Sequence, residues 1–243
     1  MKFIRTLLVI VLLVTHVCSL SCAEPKIPEK LVYSLSWAGV PVGVATQEIV
    51  DAGEVRKIVS TARSNDWLST FFPVDDRIES LLEKKGAFPG KSRNIRILFK
   101  EGSRVRDREI AFDPATNRAH FFDRRKNEHL DIPLEAETFD IYSGFYYVRN
   151  QRLEPGTSVY INVLDSKTLH RIEVRVLRRE RVKVPAGEFD TIVIEPMVKP
   201  VGVFEGKRGA YIWLSDDARR RPVKAQTKVT VGSVTAVLTG GDY

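Results

Sequence analysis

The sequence predicts an all-β fold: an antiparallel curled sheet forming a closed or half-open barrel, or a barrel-like sandwich, with one aromatic helix packed against it. Three observations carry this expectation. Apolar and polar residues alternate with period two along much of the chain, turn residues interrupt the runs at short intervals, and one segment breaks the alternation with helical spacing.

The first residues do not belong to that pattern. Lys2 and Arg5 precede an unbroken apolar run from Leu7 to Val14, and small residues lead into Ala23. A basic start, an apolar stretch too short to span a bilayer and small residues at a cut describe a secretory signal peptide over residues 1–23. Residues 24–243 are then expected to form a single β-rich domain. Ser21 and Ala23 suit cleavage with free release, which would place the mature chain in the periplasm with no transmembrane span. The alternative is a lipoprotein anchored through an acylated Cys22, although Ser19 stands where that signal calls for a large aliphatic residue.

Cleavage after Ala23 removes both Cys18 and Cys22, so the mature chain would have neither a disulfide nor a thiolate metal site. Removing Lys2 and Arg5 lowers the formal charge from +7 to +5. A basic exported protein does not meet nucleic acid, so none is expected as a partner. Its available counter-charges are anionic headgroups and acidic envelope polymers, unless the charge serves only solubility.

Within the mature chain, Leu31, Tyr33, Leu35 and Trp37 share one face of a first strand, and Val42, Val44 and Thr46 begin a second. Ile95, Ile97 and Phe99 mark another. Later, Val159, Ile161 and Val163 alternate, as do Ile172, Val174 and Val176 opposite Arg171, Glu173 and Arg175, and Val182 and Val184 opposite Arg181 and Lys183. Asp51-Ala52-Gly53, Pro89-Gly90, Asp113-Pro114, Pro155-Gly156 and Pro185-Ala186-Gly187 are turns between such runs. The spacing predicts roughly a dozen strands.

From Thr138 to Asn150 the period changes: Ile141, Phe145 and Val148, with Phe139, Tyr142 and Tyr146 beside them, predict a helix that Thr138 would cap. Gly144 in its middle weakens the helix by about 1 kcal/mol relative to alanine, which predicts a close approach to a strand or to another backbone. Two aromatic groups stand out, Trp67, Phe71 and Phe72 in a non-alternating segment, and Tyr142, Phe145 and Tyr146 on the helix. They either fill the core at the ends of the barrel or line the mouth of an apolar cavity and bind a ligand there.

Motifs for catalysis are scarce. There is no G-x-S-x-G, S-x-x-K, H-E-x-x-H, G-x-G-x-x-G or Walker signature. His120 and His129 lie nine residues apart across a basic loop and His170 stands alone, so no dedicated zinc site and no cofactor are expected. Asp216 and Asp217 are adjacent and would point to opposite faces of a strand, which favours a turn over a converging acid pair.

Four stretches in order, LVYSLSWAGVPVGVA, TFDIYSGFYYVRNQRLEPG, VKVPAGEFDTIVIEP and YIWLSDDARRRPVKAQTKVTVGSVTAVL, resemble the bacterial exported family known as domain of unknown function 3108. The resemblance covers nearly the whole mature chain and implies a secreted, predominantly β protein with no settled activity and no agreed catalytic residues. The expected function is non-enzymatic binding of a lipid-like or other hydrophobic small molecule inside the barrel. One alternative is an envelope interaction or assembly factor using a sheet edge or the basic hairpin with Arg178, Arg179 and Arg181. Another is a hydrolase of envelope substrates using Asp216 or Asp217.

Overall fold

The computed structural model describes residues 26–197, 209–229 and 231–243. The expected signal peptide and Cys22 lie outside the described residues. Among those described are fifteen strands: β1 (Glu29–Trp37), β2 (Val40–Ala52), β3 (Val55–Ser64), β4 (Asp75–Glu83), β5 (Ser92–Glu101), β6 (Arg104–Asp113), β7 (Arg118–Asp123), β8 (Glu128–Pro133), β9 (Thr138–Phe139), β10 (Ser158–Asp165), β11 (Thr168–Val184), β12 (Gly187–Met197), β13 (Ala210–Ser215), β14 (Pro222–Lys228) and β15 (Ser233–Asp242). A four-residue helix, α1 (Asp66–Ser69), follows β3, and α2 (Ile141–Arg149) follows β9.

All fifteen strands belong to one sheet, in the order β8-β7-β6-β5-β4-β3-β2-β1-β15-β14-β13-β12-β11-β10-β9. Apart from β8 and β9, strands consecutive in sequence are neighbours in the sheet, and every pair is antiparallel except β9 with β10. Pairing of β1 with β15 joins the first strand to the last, so the sheet grows outward from the middle in both directions. Its ends, β8 and β9, are not hydrogen-bonded to one another, and the barrel is therefore open rather than closed. Side chains bridge the gap instead. Phe121 and Ile132 from β7 and β8 pack with Leu164 and Leu169 of the β10–β11 hairpin, Lys167 pairs with Glu128, and Arg108 donates to Ser166 Oγ at 3.1 Å.

Period-two alternation selects the inner face. Leu31, Ile49, Ile58, Leu82, Ile95 and Ile110 are buried on successive strands, and the sheet curls around them. The core continues through Val163, Val174, Ile192, Ile194 and Leu214 on the other half.

The helix begins two residues later than Thr138 would set it. Asp140 is the cap, its carboxylate accepting from the backbone N–H of Tyr142 at 2.9 Å and of Ser143 at 3.1 Å. Thr138 and Phe139 pair with Asn162 and Val163 as the short parallel strand β9, and the Thr138 hydroxyl donates to the Glu135 carbonyl at 2.7 Å. Gly144 allows α2 to lie directly on β10: a Cβ there would stand 3.3 Å from Ile161 Cδ1 and from Val163 Cγ2.

Candidate functional site: the cavity beneath the helix

Buried polar groups pin both ends of α2 inside the curl of the sheet. At the N-terminus, Ser80 of β4 and Ser92 of β5 donate to Asp140 Oδ2 at 2.9 and 2.7 Å, while the Asp140 N–H donates to Ser92 Oγ at 3.0 Å. At the C-terminus, Arg149 forms a two-pronged ion pair with Glu29 of β1, both contacts 2.9 Å, and each residue is only 1% exposed. The same guanidinium donates to the carbonyls of Arg220 and Arg219 in the β13–β14 turn at 2.9 and 3.1 Å. Tyr146 O–H adds a bond to Glu29 at 3.2 Å. A charge this deep is tolerable only with its partner and hydrogen bonds in place. The pins thus tie the helix to strands from both halves of the sheet.

Below the pinned helix lies a cavity of about 430 Å³, within the range of small-molecule sites. Tyr142, Phe145 and Val148 form its helical wall. Ile161, Val163, Ile172, Val174, Ile194 and Ile212 form the floor from β10 to β13, and Ala225 and Ala236 leave room between β14 and β15. Ile141 lines the cavity and is 52% exposed, which brings the lining to the surface at the first turn of α2.

Polar groups on the lining are few. Gln47 is engaged by its bond to Tyr146 O–H at 3.1 Å, and the Lys224 ammonium sits 4.4 Å from the centre of the Trp213 ring. Asp165 and His170 lie toward the β10–β11 turn. Burial pushes the Tyr142 phenol up to about 12 and keeps it neutral. The lining is therefore apolar with a few polar points, the composition usual for small-molecule pockets.

One inward carboxyl lies apart from this lining. Asp76 is half-buried on β4, and its carboxyl is pushed up to about 6, first by desolvation and then by the nearby charges of Glu101 and Asp75, against the bond it accepts from the Lys100 N–H at 3.0 Å. An acid with a folded value above its ordinary 3.8 favours the protonated folded state, so its contribution to stability declines as pH rises from about 4 to about 6. Asp76→Asn is expected to remove that decline. Thermal midpoints measured across this window should fall less steeply in the variant than in the wild type; parallel curves would show that Asp76 is already charged.

The structure separates the two aromatic groups singled out in the sequence. Tyr142 and Phe145 face the cavity. Tyr146 is fully buried beside it, with its ring edge-on to Phe88 and its hydroxyl on the Glu29 pin. Trp67, Phe71 and Phe72 lie outside that lining, on α1 and the turn after it, 47%, 81% and 49% exposed. The Trp67 indole donates to the Pro41 carbonyl at 3.0 Å, and the Phe72 ring covers Gly102, so contacts with β2 and the β5–β6 turn occupy both.

Asp216 and Asp217 form a turn. Asp217 Oδ1 accepts from Ser215 Oγ at 2.8 Å and from the N–H groups of Arg219 and Arg220 at 2.9 and 3.1 Å, while Oδ2 pairs with Arg221 at 2.7 Å. Burial acts to raise its carboxyl, but the bonds from Arg221 and Ser215 outweigh it and hold the group below its ordinary value. Asp216 pairs with Arg179 at 2.8 Å and Arg220 at 2.7 Å. Neither carboxylate lines the cavity. Asp217→Asn is expected to cost about 1 kcal/mol through weakened turn bonds and to leave ligand binding unchanged. Chemical denaturation and a binding titration of the same variant check both halves.

The arginines of the β11–β12 hairpin are likewise matched. Arg178 pairs with Glu180, Arg179 with Glu154 and Asp216, and Arg181 with Asp190, all between 2.8 and 3.1 Å. These exposed pairs are worth little individually, yet they neutralise the face that the sequence presents as a basic patch. His120 and His129, nine residues apart in one hairpin, bring ring nitrogens within 3.1 Å on the outer face of β7 and β8. Among the described residues no helix is long and apolar enough to cross a membrane.

One solved structure shares this architecture. A β-barrel-like protein of domain of unknown function DUF1849 from Brucella abortus superposes with a TM-score of 0.58 at 10% identity, over 90% of this chain and 98% of that one. It shows the fold alone. A candidate exported protein with a YmcC-like fold from Bacteroides fragilis NCTC 9343 aligns with a TM-score of 0.35 at 6% identity, and a candidate lipoprotein from Parabacteroides distasonis ATCC 8503 with 0.36 at 9%; each alignment covers 91% of this chain and 98% of the other. No curated protein matches the sequence. The profile of one family spans residues 32–239, from the first strand to the last, and the chain belongs to that family, described as protein of unknown function DUF3108.

Proposed function

We propose that this protein is an exported, non-enzymatic envelope protein that holds a lipid-like hydrophobic ligand in the cavity beneath α2. One observation carries the reading: an apolar space of about 430 Å³, reaching the surface at the first turn of α2, lies within the curl of a sheet whose inward side chains are otherwise largely buried. Concave apolar spaces of this size with a few polar groups are where small-molecule ligands bind.

The energetics suit a single hydrocarbon chain. Each buried methylene contributes about 0.8 kcal/mol, so ten of them supply about 8 kcal/mol, equivalent to a dissociation constant near 1 μM before ordering costs. The export half of the proposal rests on the basic, apolar and small-residue regions of positions 1–23.

Titration of the mature chain with an environment-sensitive fluorescent fatty acid tests the ligand class. Saturable binding at one site, displaced by unlabelled long-chain fatty acid or lysolipid but not by short-chain analogues, is the expected result. Failure of every long-chain amphiphile to displace or bind would remove the proposal.

A further inference from the structure

The β7–β8 hairpin carries a second arrangement, unrelated to the cavity. His120 Nε2 lies 3.1 Å from His129 Nδ1, and His120 Nδ1 lies 2.9 Å from Asp131 Oδ1. Phe122 stacks on the His129 ring, centroids 4.2 Å apart and planes within 15°. Register places His120 opposite Asp131 and Phe122 opposite His129, so the backbone ladder itself fixes the group.

We infer that His120 and His129 form a binding site for a divalent transition-metal ion of the zinc and copper class, with Asp131 holding His120 from behind. The spacing fits. Two imidazole nitrogens at about 2.05 Å from one ion and a tetrahedral angle stand about 3.3 Å apart, so the pair needs to part by only about 0.2 Å. The tautomers fit as well: a carboxylate on Nδ1 keeps the His120 proton there and leaves the lone pair on Nε2, the nitrogen that faces His129. The ion replaces the hydrogen bond between the rings, and the His129 proton resides on Nε2.

No group of three or more His, Cys, Asp or Glu side chains converges as a metal site among the described residues. The protein therefore supplies two nitrogens, and water fills the remaining positions. Such a site ranks ions by the affinity of imidazole, with Cu²⁺ above Zn²⁺. Its ligands come from the last two strands before one open end of the sheet, so a bound ion clips β7 to β8 where no further strand covers them.

The test uses the tag-free mature chain and zinc chloride, by calorimetric titration, with thermal midpoint as a second readout. One ion per chain is expected, with a zinc-dependent rise in the midpoint. His120→Ala and His129→Ala should each lower affinity at least tenfold and abolish that rise, Asp131→Asn should weaken binding by about 10- to 100-fold, and His170→Ala should change nothing. Because both rings are exposed, the variants fold, and their zinc-free midpoints check this. Substoichiometric Cu²⁺ should broaden the ring proton resonances of His120 and His129 before those of His170. Wild-type zinc affinity in the His120→Ala, His129→Ala double variant, or no saturable binding at millimolar zinc, would overturn the site.

Discussion

Glu29→Leu is expected to lower stability by about 3–5 kcal/mol, the cost of leaving one member of a buried ion pair without its partner. The Arg149 guanidinium, 1% exposed in the wild type, would be left with two turn carbonyls and no carboxylate. Because the pair also anchors α2, the helix should loosen, and amide exchange in residues 141–149 should accelerate beyond the change in global stability. Arg149→Met alone strands Glu29 in the same way. The double variant Glu29→Leu, Arg149→Met should cost less than either single change, since apolar groups of similar size can replace a buried pair with little loss. Chemical denaturation of all four proteins measures the coupling; additive costs would show that the two charges do not depend on each other.

The second large effect falls on ligand binding. Ala225 lines the cavity from β14, between Ile212 of β13 and Ala236 of β15. Ala225→Phe places a ring in the space assigned to the ligand. Overpacking a filled core costs about 1–3 kcal/mol, but here the ring enters a void and gains burial, so stability should hold or rise. Affinity for a long-chain probe should fall at least tenfold, since the ring displaces several methylenes worth about 0.8 kcal/mol each. A variant that binds as tightly as the wild type would place the ligand elsewhere.

Much of this architecture is legible in the sequence because alternation is a local signal. Leu31 with Tyr33, Ile95 with Ile97 and Ile172 with Val174 announce their faces without any knowledge of partners. The unusual glycine in the aromatic segment points to the contact that Gly144 makes with Ile161 and Val163. Whether the sheet closes is not encoded that way, since open and closed barrels share the same period of two; closure depends on the ends β8 and β9.

The site is less readable for the same reason. Glu29 and Arg149 are 120 residues apart, and each looks like an ordinary surface charge in its own segment. Ser80, Ser92 and Asp140 meet only because the curl brings β4 and β5 under the helix. The exposed Trp67, Phe71 and Phe72 share their composition with the helix aromatics but not their place, because the α1 turn projects outward. The histidine pair is legible in the hairpin register: counting back from the turn at 124–127 sets His120 opposite Asp131 and Phe122 opposite His129. The two rings are diagonal neighbours across the hairpin, a relation that strand register sets and sequence spacing alone does not.

The central claim is that the space under α2 holds a hydrocarbon ligand in the cell. The direct measurement is native mass spectrometry of the mature protein, purified from a bacterial envelope without detergent, followed by solvent extraction and identification of whatever is released. The account predicts a single extra mass that solvent removes, that contains a long hydrocarbon chain and that is absent from Ala225→Phe. Protein that is free of bound lipid, or that carries the same lipid in the filled variant, would contradict it.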